Sequence, residues 1–238
     1  MIIVGKISVK AIVENQKRDI EKIYLMDKLR NNDVRYIKNI AKGIPIEIVS
    51  REELTKISGV DNHGGYAISC SKRKNDDIHP ILKDKTISIL LVEGMRDPFN
   101  MGEIFRTALA MGFDAIISSE YDFYDNEKIV VRSSAGASEK LLWHQSADLE
   151  KTIAALKDKD VSIVAAHRAD NNSVLGSFQF SDKVCICIGG ALRGLSTKVL
   201  DHADDFVRID YDAKIALSTV ASCNIFTYER FRQQGERK

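Results

Sequence analysis

Several familiar functional signatures are missing from this sequence. No run approaches the roughly 18 consecutive apolar residues that a membrane-spanning helix needs. The N-terminal stretch MIIVGKISVK lacks a long apolar core followed by a small-residue cleavage site, so we expect no signal peptide and a cytoplasmic protein. There is no G-x-G-x-x-G after a strand and no G-x-x-x-x-G-K-[ST], which disfavours a dinucleotide-binding Rossmann site and an ATPase P-loop.

Cysteine and histidine are also sparse. The four cysteines form no C-x-x-C pair, and Cys185 and Cys187 alternate within an apolar stretch typical of a buried strand. In a reduced cytosol such residues serve as small apolar side chains. The five histidines show no metal-ligand spacing, so we predict no metal site.

The overall charge is nearly balanced, at +1, and favours no class of partner. Residues 1–80 hold 15 Lys and Arg against 11 Asp and Glu, a net charge of +4, and the remainder holds 20 against 23, a net charge of −3. The basic residues cluster in KRDIEK, DKLRNNDVRYIK and SKRKN. Such clusters are typical of solvated helix faces and are also compatible with a nucleic-acid footprint, so both interpretations stay open.

A small α/β unit is predicted over residues 1–80. A Gly-rich turn in DNHGGYAISC leads into its last strand, and the polar stretch SKRKNDDIHP (71–80) is typical of a linker to a second unit at 81–238. The other predicted elements are strands at 20–26 and 44–50 and helices at 31–42 and 51–58.

Residues 81–238 alternate strands with helices. Nearly continuous apolar strands separated by helices indicate a parallel sheet covered on both faces. Ligands of such sheets lie at the carboxyl ends of the strands, so the turns there are the candidate sites. The predicted strands are 86–94, 114–119, 162–168, 183–189 and 205–210, and the predicted helices are 100–111, 128–136, 148–159, 196–203 and 216–232.

The first of these turns opens the segment DPFNMGEIFRTALAMGF (97–113). We expect Asn100 to cap the following helix, with Glu103 completing a capping box. Arg106 then lies off the apolar stripe, near a helix mouth whose free N–H groups suit a phosphate or a polarised oxygen. A capped helix with a Glu103–Arg106 surface pair is the alternative interpretation.

Two further turns follow predicted strands. One strand ends at Gly189 and Gly190, and Ser196 is the expected cap of the next helix. Paired glycines there either let the backbone approach a ligand closely or form a tight turn with positive φ, and the residues alone do not decide. The other strand ends at Ile209, before a short polar loop and a terminal helix.

Together, the three turns resemble the motifs of the SpoU/TrmH family of SPOUT RNA methyltransferases. The segment IGGALRGLS is similar to the family's second motif, and ALSTVASCNIFTYE occupies the place of the third. The segments VRSSAGASEKL and NHGGYAI also resemble parts of the family, so the resemblance covers nearly the whole chain. The first motif stands here as Asn100, Gly102, Arg106, Thr107, Ala108 and Gly112.

The resemblance implies an α/β fold in which residues 81–238 form a parallel sheet covered on both faces, with a C-terminal trefoil knot. A small L30e-like RNA-binding domain at 1–80 precedes it. The resemblance further implies a homodimer that binds S-adenosylmethionine and methylates a ribose 2′-hydroxyl in RNA, an activity of class EC 2.1.1.-. Ribosomal RNA is favoured over transfer RNA because of the L30e-like extension, and neither a membrane nor DNA is an expected partner.

The same resemblance implies roles for individual residues. Arg106, Asn100 and Ser218 are the expected catalytic residues. Because arginine stays protonated, Arg106 would position an RNA phosphate and lower the effective pKa of the hydroxyl, while Asn100 would orient Arg106 or the ribose. The expected cofactor contacts are Gly189, Gly190, Ile209, Leu217 and Ala165.

Four positions depart from the family pattern, and the loop between Ile209 and Leu217 is one residue shorter. Gly190 and Ala191 stand where the second motif usually has Asn and Glu, and Ala216 and Ser218 stand where the third motif usually has Ser and Asn. Backbone contacts to a cofactor survive such changes, whereas the side-chain hydrogen bonds do not. Two hypotheses therefore stand: an active 2′-O-methyltransferase, and a non-catalytic RNA-binding or ribosome-assembly protein that keeps the fold.

Overall fold

The chain folds around two separate sheets in the computed structural model, which describes residues 1–121, 123, 126–168, 172–190, 193–212 and 215–236. The N-terminal elements are β1 (Ile2–Val4), α1 (Lys6–Asn15), β2 (Ile20–Met26), α2 (Asn31–Ile40), β3 (Ile46–Val49), α3 (Arg51–Ser58) and β4 (Tyr66–Cys70). The C-terminal elements are β5 (Ile87–Glu93), α4 (Pro98–Ala110), β6 (Ala115–Ser119), α5 (Glu127–Ser133), α6 (Ala137–Lys140), β7 (Leu142–Ser146), α7 (Leu149–Lys157), β8 (Ser162–Ala166), β9 (Ser173–Val174), β10 (Lys183–Gly189), α8 (Thr197–Leu200), β11 (Asp205–Arg208) and α9 (Thr219–Glu236).

The N-terminal sheet is mixed, with strand order β1-β4-β2-β3. Its buried face packs on α1 through Ile12, Ile23 and Ile68, because apolar residues alternate along the strands. The predicted strands and helices of this unit are confirmed, but β1 and α1 were missed. They form one apolar run that Gly5 divides at a φ of 99°, a conformation that costs glycine little.

The Gly-rich turn before β4 is held by a buried histidine. The Nδ1 atom of His63 accepts the N–H of Gly65 at 3.0 Å, and Gly64 and Gly65 both have positive φ. Burial lowers the pKa of His63, which keeps the ring neutral and its acceptor nitrogen available. The His-x-Gly segment therefore has a structural role in shaping this turn.

The C-terminal sheet has seven parallel strands in the order β7-β6-β5-β10-β8-β11-β9. One face packs on α4 and α9 through Phe105 and Phe226, and the other packs on α7 and α8 through Ile153 and Val199. The predicted parallel sheet covered on both faces is confirmed. The two edge strands were missed, because β7 (LWHQS) is largely polar and β9 spans only two residues.

The predicted linker at 71–80 is fixed to the second sheet. Asp76 accepts the N–H of Trp143 at 2.9 Å and donates its own N–H to the carbonyl of Trp143 at 3.1 Å. Arg73 is buried, and its guanidinium donates to the carbonyls of Ser138 and Leu141. Although most of this stretch is exposed, Arg73 and Asp76 hold it to β7 and α6 through hydrogen bonds.

A buried ion cluster joins the two sheets. Arg18, which follows α1, donates to both carboxylate oxygens of Glu139 at 3.1 and 2.8 Å and to Glu127 at 2.8 Å. The side chains of Arg18 and Glu139 are 0% exposed. Burial would lower the pKa of Arg18, but Glu139 and then Glu127 outweigh it and raise that pKa. Arg18 therefore stays charged and binds α5 and α6 to the N-terminal unit.

The four cysteines are free and buried. Burial raises the pKa of the Cys70 thiol to about 11 and also raises that of Cys223, so neither forms a reactive thiolate near neutral pH. No helix in the described part of the chain is both long and apolar enough to cross a bilayer.

We predict that Glu139→Ala lowers the free energy of unfolding by about 3–5 kcal/mol, because it leaves the buried Arg18 guanidinium without its main partner. Urea denaturation measures this change. Asp19→Ala is the matched control, since it removes an exposed ion pair with Lys74 and should cost less than about 1 kcal/mol. Equal losses in the two variants would contradict the assigned role.

Candidate functional site

The segment after β5 starts α4 differently from the sequence prediction. Asp97 is the N-cap residue, and its carboxylate accepts the N–H of Asn100 at 2.8 Å. Pro98 occupies the first turn, where its missing N–H costs no hydrogen bond. The expectation that Asn100 caps the helix with Glu103 in a capping box is therefore wrong. The Asn100 side chain is instead free to line a cavity.

Two cavities open at the carboxyl ends of the central strands, where ligands of parallel sheets bind. The larger has a volume of about 1020 Å³, and the smaller one of about 210 Å³. Gly194 lines both, so the cavities are neighbours. The larger includes Glu93, Asn100, Gly190, Ser196, Ser218 and Asn224 in its wall. The smaller includes Ala166, Gly189, Ile209, Tyr211, Leu217 and Phe226.

The glycines after β10 let the chain fold back over the end of its own strand. A Cβ atom on Gly189 would lie 2.0 Å from the carbonyl carbon of Gly194 and 2.3 Å from the nitrogen of Leu195. Gly190 and Gly194 form an isolated β-bridge, and only Gly194 of these three glycines has positive φ. Gly189 thus permits a close approach of the protein's own backbone, not of a ligand. The turn with positive φ is at Gly194.

The loop before α9 brings the third motif to both cavities. Leu217 lines the smaller cavity together with Ile209, and Ser218 lines the larger. The predicted helix start at residue 216 is wrong, because α9 begins at Thr219. The Ser218 hydroxyl oxygen accepts the N–H of Ala221 at 3.1 Å, which caps the helix and leaves the hydroxyl proton available to a ligand.

Arg106 lies outside both cavities of its own chain. It is exposed, and it forms no hydrogen bond or ion pair within the described residues, so the alternative Glu103–Arg106 surface pair is absent. Arg106 shares an exposed stripe of α4 with Phe99 and Glu103, at spacings of four and three residues. It lies six residues after Asn100, about 9 Å further along the helix axis.

Ala165, an expected cofactor contact, is placed differently in the structure. Ala165 is buried in the sheet and lines neither cavity, whereas its neighbour Ala166 lines the smaller one. Successive side chains of a strand point to opposite faces, so an error of one residue moves the contact to the other side. Ala191, where the resemblance expects a carboxylate, lies outside the described residues.

Glu93 is a functional candidate that the sequence analysis missed. It ends β5, lines the larger cavity and accepts the N–H of Ser196 at 2.8 Å. The parallel register sets it directly beside Gly189 on β10. Its place at the carboxyl end of a central strand was the available signal, but the segment that suggested a site in the sequence begins four residues later, at Asp97.

The larger cavity has a mixed but mainly acidic wall. The polar and charged side chains of this wall can form hydrogen bonds with a ligand that has several hydroxyl groups. No group of three or more His, Cys, Asp or Glu in the described residues is arranged to hold a metal ion. The charged residues of the wall are Glu93, Asp97, Glu103 and Glu120, with Arg96 and Arg193.

We predict that Gly189→Ala destabilises the protein by about 1–3 kcal/mol or more, because the new methyl group overlaps the backbone of Gly194. The midpoint and slope of urea unfolding report this. Gly176→Ala is the matched control, since no heavy atom lies within 4 Å of a Cβ there and φ is not positive. A Gly189→Ala protein as stable as this control would contradict the close approach of the Gly194 backbone to Gly189.

Known proteins match the sequence and the fold of this chain. The profile of the SpoU rRNA Methylase family matches residues 87–225, and that of RNA 2′-O ribose methyltransferase substrate binding matches residues 2–75. A Staphylococcus saprophyticus protein described as a TrmH family tRNA/rRNA methyltransferase is 28% identical over 244 residues, which cover 99% of this chain and 96% of that protein.

Solved structures agree with the sequence matches. The SpoU methyltransferase AviRb from Streptomyces viridochromogenes superposes with a TM-score of 0.82 at 17% identity, over 100% of this chain and 91% of AviRb. An AdoMet-bound rRNA methyltransferase from Sinorhizobium meliloti gives a TM-score of 0.80 at 18% identity, over 97% and 86% of the two chains. The fold, the motifs at the strand ends and the profile over residues 87–225 show that this chain belongs to the SpoU rRNA Methylase family.

Proposed function

We propose that this protein transfers a methyl group from S-adenosylmethionine to a ribose 2′-hydroxyl of RNA. The observation that carries the proposal is the pair of adjoining cavities at the carboxyl ends of the strands, with Asn100 and Ser218 in one and Gly189, Ile209 and Leu217 in the other. Membership of the family supports an RNA methyltransferase, and the matched substrate-binding profile supports the ribose as acceptor.

The smaller cavity fits the cofactor. Ile209, Leu217 and Phe226 give it apolar walls for an adenine, and backbone groups at the strand ends can bond the edge of a base. Gly189 lines this cavity with backbone atoms, and Arg168, which also lines it, carries a charge that suits a carboxylate. When bound, S-adenosylmethionine supplies an electrophilic methyl group on a positively charged sulfur.

The larger cavity is proposed to receive the ribose. Asn100 offers both a donor and an acceptor, and the Ser218 hydroxyl proton remains available, so the two can orient sugar hydroxyls. The volume of about 1020 Å³ accommodates a nucleotide that is unstacked from its neighbours. Residues 1–80, with their net charge of +4, are proposed to bind the flanking RNA.

We propose that Arg106 acts in the cavity of a second copy of the chain. Its guanidinium is exposed and lines neither cavity of its own chain, which favours a role in a site completed across an interface. A two-fold symmetric dimer would supply one Arg106 to each of two sites. There it would hold a phosphate next to the target ribose and stabilise the charge that develops during transfer.

Neighbouring helices present an apolar surface for such a dimer. Phe99 on α4 is 61% exposed, and Tyr228 and Phe231 on α9 are 56% and 47% exposed. The two helices pack against each other, so these side chains lie on one side of the domain. Large exposed aromatic side chains are typical of protein interfaces, and this surface adjoins the stripe that carries Arg106.

The RNA class and the knot remain proposals. We propose ribosomal RNA as the substrate and a trefoil knot at the C-terminus. The S. saprophyticus relative is described for both tRNA and rRNA. The return of the chain across Gly189 is compatible with a threaded loop. A cytoplasmic location also stays a prediction.

The activity is tested by calorimetry with S-adenosylmethionine, followed by transfer of labelled methyl groups to separated ribosomal and transfer RNA. Digestion to nucleosides distinguishes ribose from base methylation. We expect cofactor binding and 2′-O-methylated nucleosides, mainly in ribosomal RNA. Cofactor binding without transfer to any RNA would favour the non-catalytic alternative, and no binding at high micromolar cofactor would refute the proposal.

Arg106→Ala should lower the transfer rate by about 100-fold or more and leave cofactor affinity unchanged, because its guanidinium stabilises the reacting RNA and not the cofactor. Arg132→Ala, at an exposed arginine of α5, is the matched control and should transfer at the wild-type rate. A large loss of cofactor affinity in Arg106→Ala would contradict this role.

The dimer is tested by light scattering at micromolar concentration. Tyr228→Asp places a charge in the proposed interface and should weaken dimerisation by at least about tenfold, or 1.4 kcal/mol. Ile48→Asp is the control, because Ile48 is 50% exposed on β3 of the other sheet and should leave the dimer intact. A wild-type monomer would exclude the composite site.

A further inference from the structure

We propose that Glu93 is a catalytic residue that accepts the proton of the ribose hydroxyl. This inference rests on the proposed function, and it assigns the reaction a base that neither the motifs nor the family matches point to. Arginine stays protonated in proteins, so Arg106 cannot take up the proton as a free base. The carboxylate expected in the second motif is missing, because its position holds Ala191.

Glu93 stands at the boundary of the two cavities. In the register of β5 and β10 it is the direct partner of Gly189, which lines the smaller cavity, while Glu93 itself lines the larger. A Cβ on Gly190 would lie 3.4 Å from the Glu93 carbonyl oxygen, so the turn that follows β10 passes close to the backbone of this residue. A proton acceptor here is next to both the donor and the acceptor of the methyl group.

The Glu93 side chain is held in one orientation. One carboxylate oxygen accepts the N–H of Ser196 at 2.8 Å, and the other has no hydrogen-bond partner in the described chain. A fixed carboxylate with one free oxygen meets the geometric requirement for a general base. It is only partly exposed, so a bound nucleotide can exclude the remaining water around it.

The other carboxylates of the cavity are less suited to this role. Asp97 uses an oxygen to cap α4, and it is exposed. Glu103 and Glu120 are also exposed, and neither has a partner in the described residues that would fix its orientation. Glu93 is therefore the carboxylate of this wall that is both partly buried and oriented.

Two unpaired polar atoms in the cavity that Glu93 lines favour the binding of a sugar there. Ser196 Oγ and Asn224 Oδ1 are buried, line the same cavity and have no hydrogen-bond partner in the described chain. Buried polar atoms are normally paired, so a ligand is expected to complete them. Ribose hydroxyls can both accept from Ser196 and donate to Asn224, whereas a phosphate can only accept.

On this proposal, proton transfer to Glu93 accompanies methyl transfer. The 2′-oxygen forms a bond to the methyl carbon while the carbon–sulfur bond breaks, and the sulfur keeps that electron pair and becomes a neutral thioether. The hydroxyl proton passes to the free oxygen of Glu93, which then releases it to water. The positive charge of the sulfonium is thus discharged as the carboxylate is neutralised.

Glu93→Gln tests the inference, because its amide oxygen can still accept the Ser196 N–H while the base is lost. We expect single-turnover transfer to fall about 10²- to 10⁴-fold, with affinity for S-adenosylmethionine and for RNA within twofold of wild type. Glu93→Asp should recover part of the rate. Glu93→Ala should in addition weaken cofactor binding by about tenfold, since the chain at Ser196 loses its hydrogen bond to the Glu93 carboxylate.

Glu150→Gln provides the same charge change at an exposed site on α7 and should leave transfer unchanged. Transfer by Glu93→Gln at the wild-type rate, or equal losses of transfer and cofactor affinity in this variant, would overturn the inference alone. A wild-type protein that binds cofactor but methylates no RNA would overturn the proposed function, and this inference with it.

Discussion

The parallel pairing of β5 with β10 is the constraint on which the rest of the site depends. It aligns Gly189 with Glu93 and brings the two strand ends to one edge of the sheet. The chain can then turn back at Gly194 only because Gly189 has no side chain to obstruct it. The division of the edge into two adjoining cavities follows from this one register, and so does the contact between the end of β5 and the segment of the second motif.

The sheet could be predicted because its strands are fully buried. Continuous apolar runs such as β5 and β10 have few alternatives to a central parallel strand, so their type and order of appearance were predictable. Strand order and edges were not, since β7 is polar and its pairing depends on β6 and on the contacts of Asp76 with Trp143. Such non-local hydrogen bonds leave no periodic signal in the sequence.

The site was predicted to the level of the loop but not always of the side chain. Asn100 and Ser218 do reach the larger cavity, and Gly189, Ile209 and Leu217 reach the smaller. Ala165 does not, because strand alternation gives that direction to the next residue. Asp97 is the N-cap residue in place of Asn100, because Pro98 occupies the first helical position and the helix therefore begins before Asn100.

On the proposed function, the acidic residues of the larger cavity imply that methyl transfer and binding of the RNA backbone take place on different surfaces. Among the described residues, four carboxylates and two guanidiniums line the larger cavity, an arrangement that suits sugar hydroxyls better than phosphates. Attraction for the RNA backbone must then come from other surfaces, which on the proposed function are the basic N-terminal unit and a second subunit's Arg106. Selection of a nucleotide and capture of the strand are thereby assigned to different parts of the assembly.

The buried cluster of Arg18, Glu127 and Glu139 fixes the position of the N-terminal sheet relative to the C-terminal sheet. A hinge between the two sheets would have to expose or strand these charges, so the N-terminal unit cannot swing as a tethered module. On the proposed function, the span between the surface that grips an RNA and the edge that modifies it is set once, during folding. On the proposed function, such a rigid protein would select folded RNAs in which two features lie at a fixed separation, without opening or closing around them.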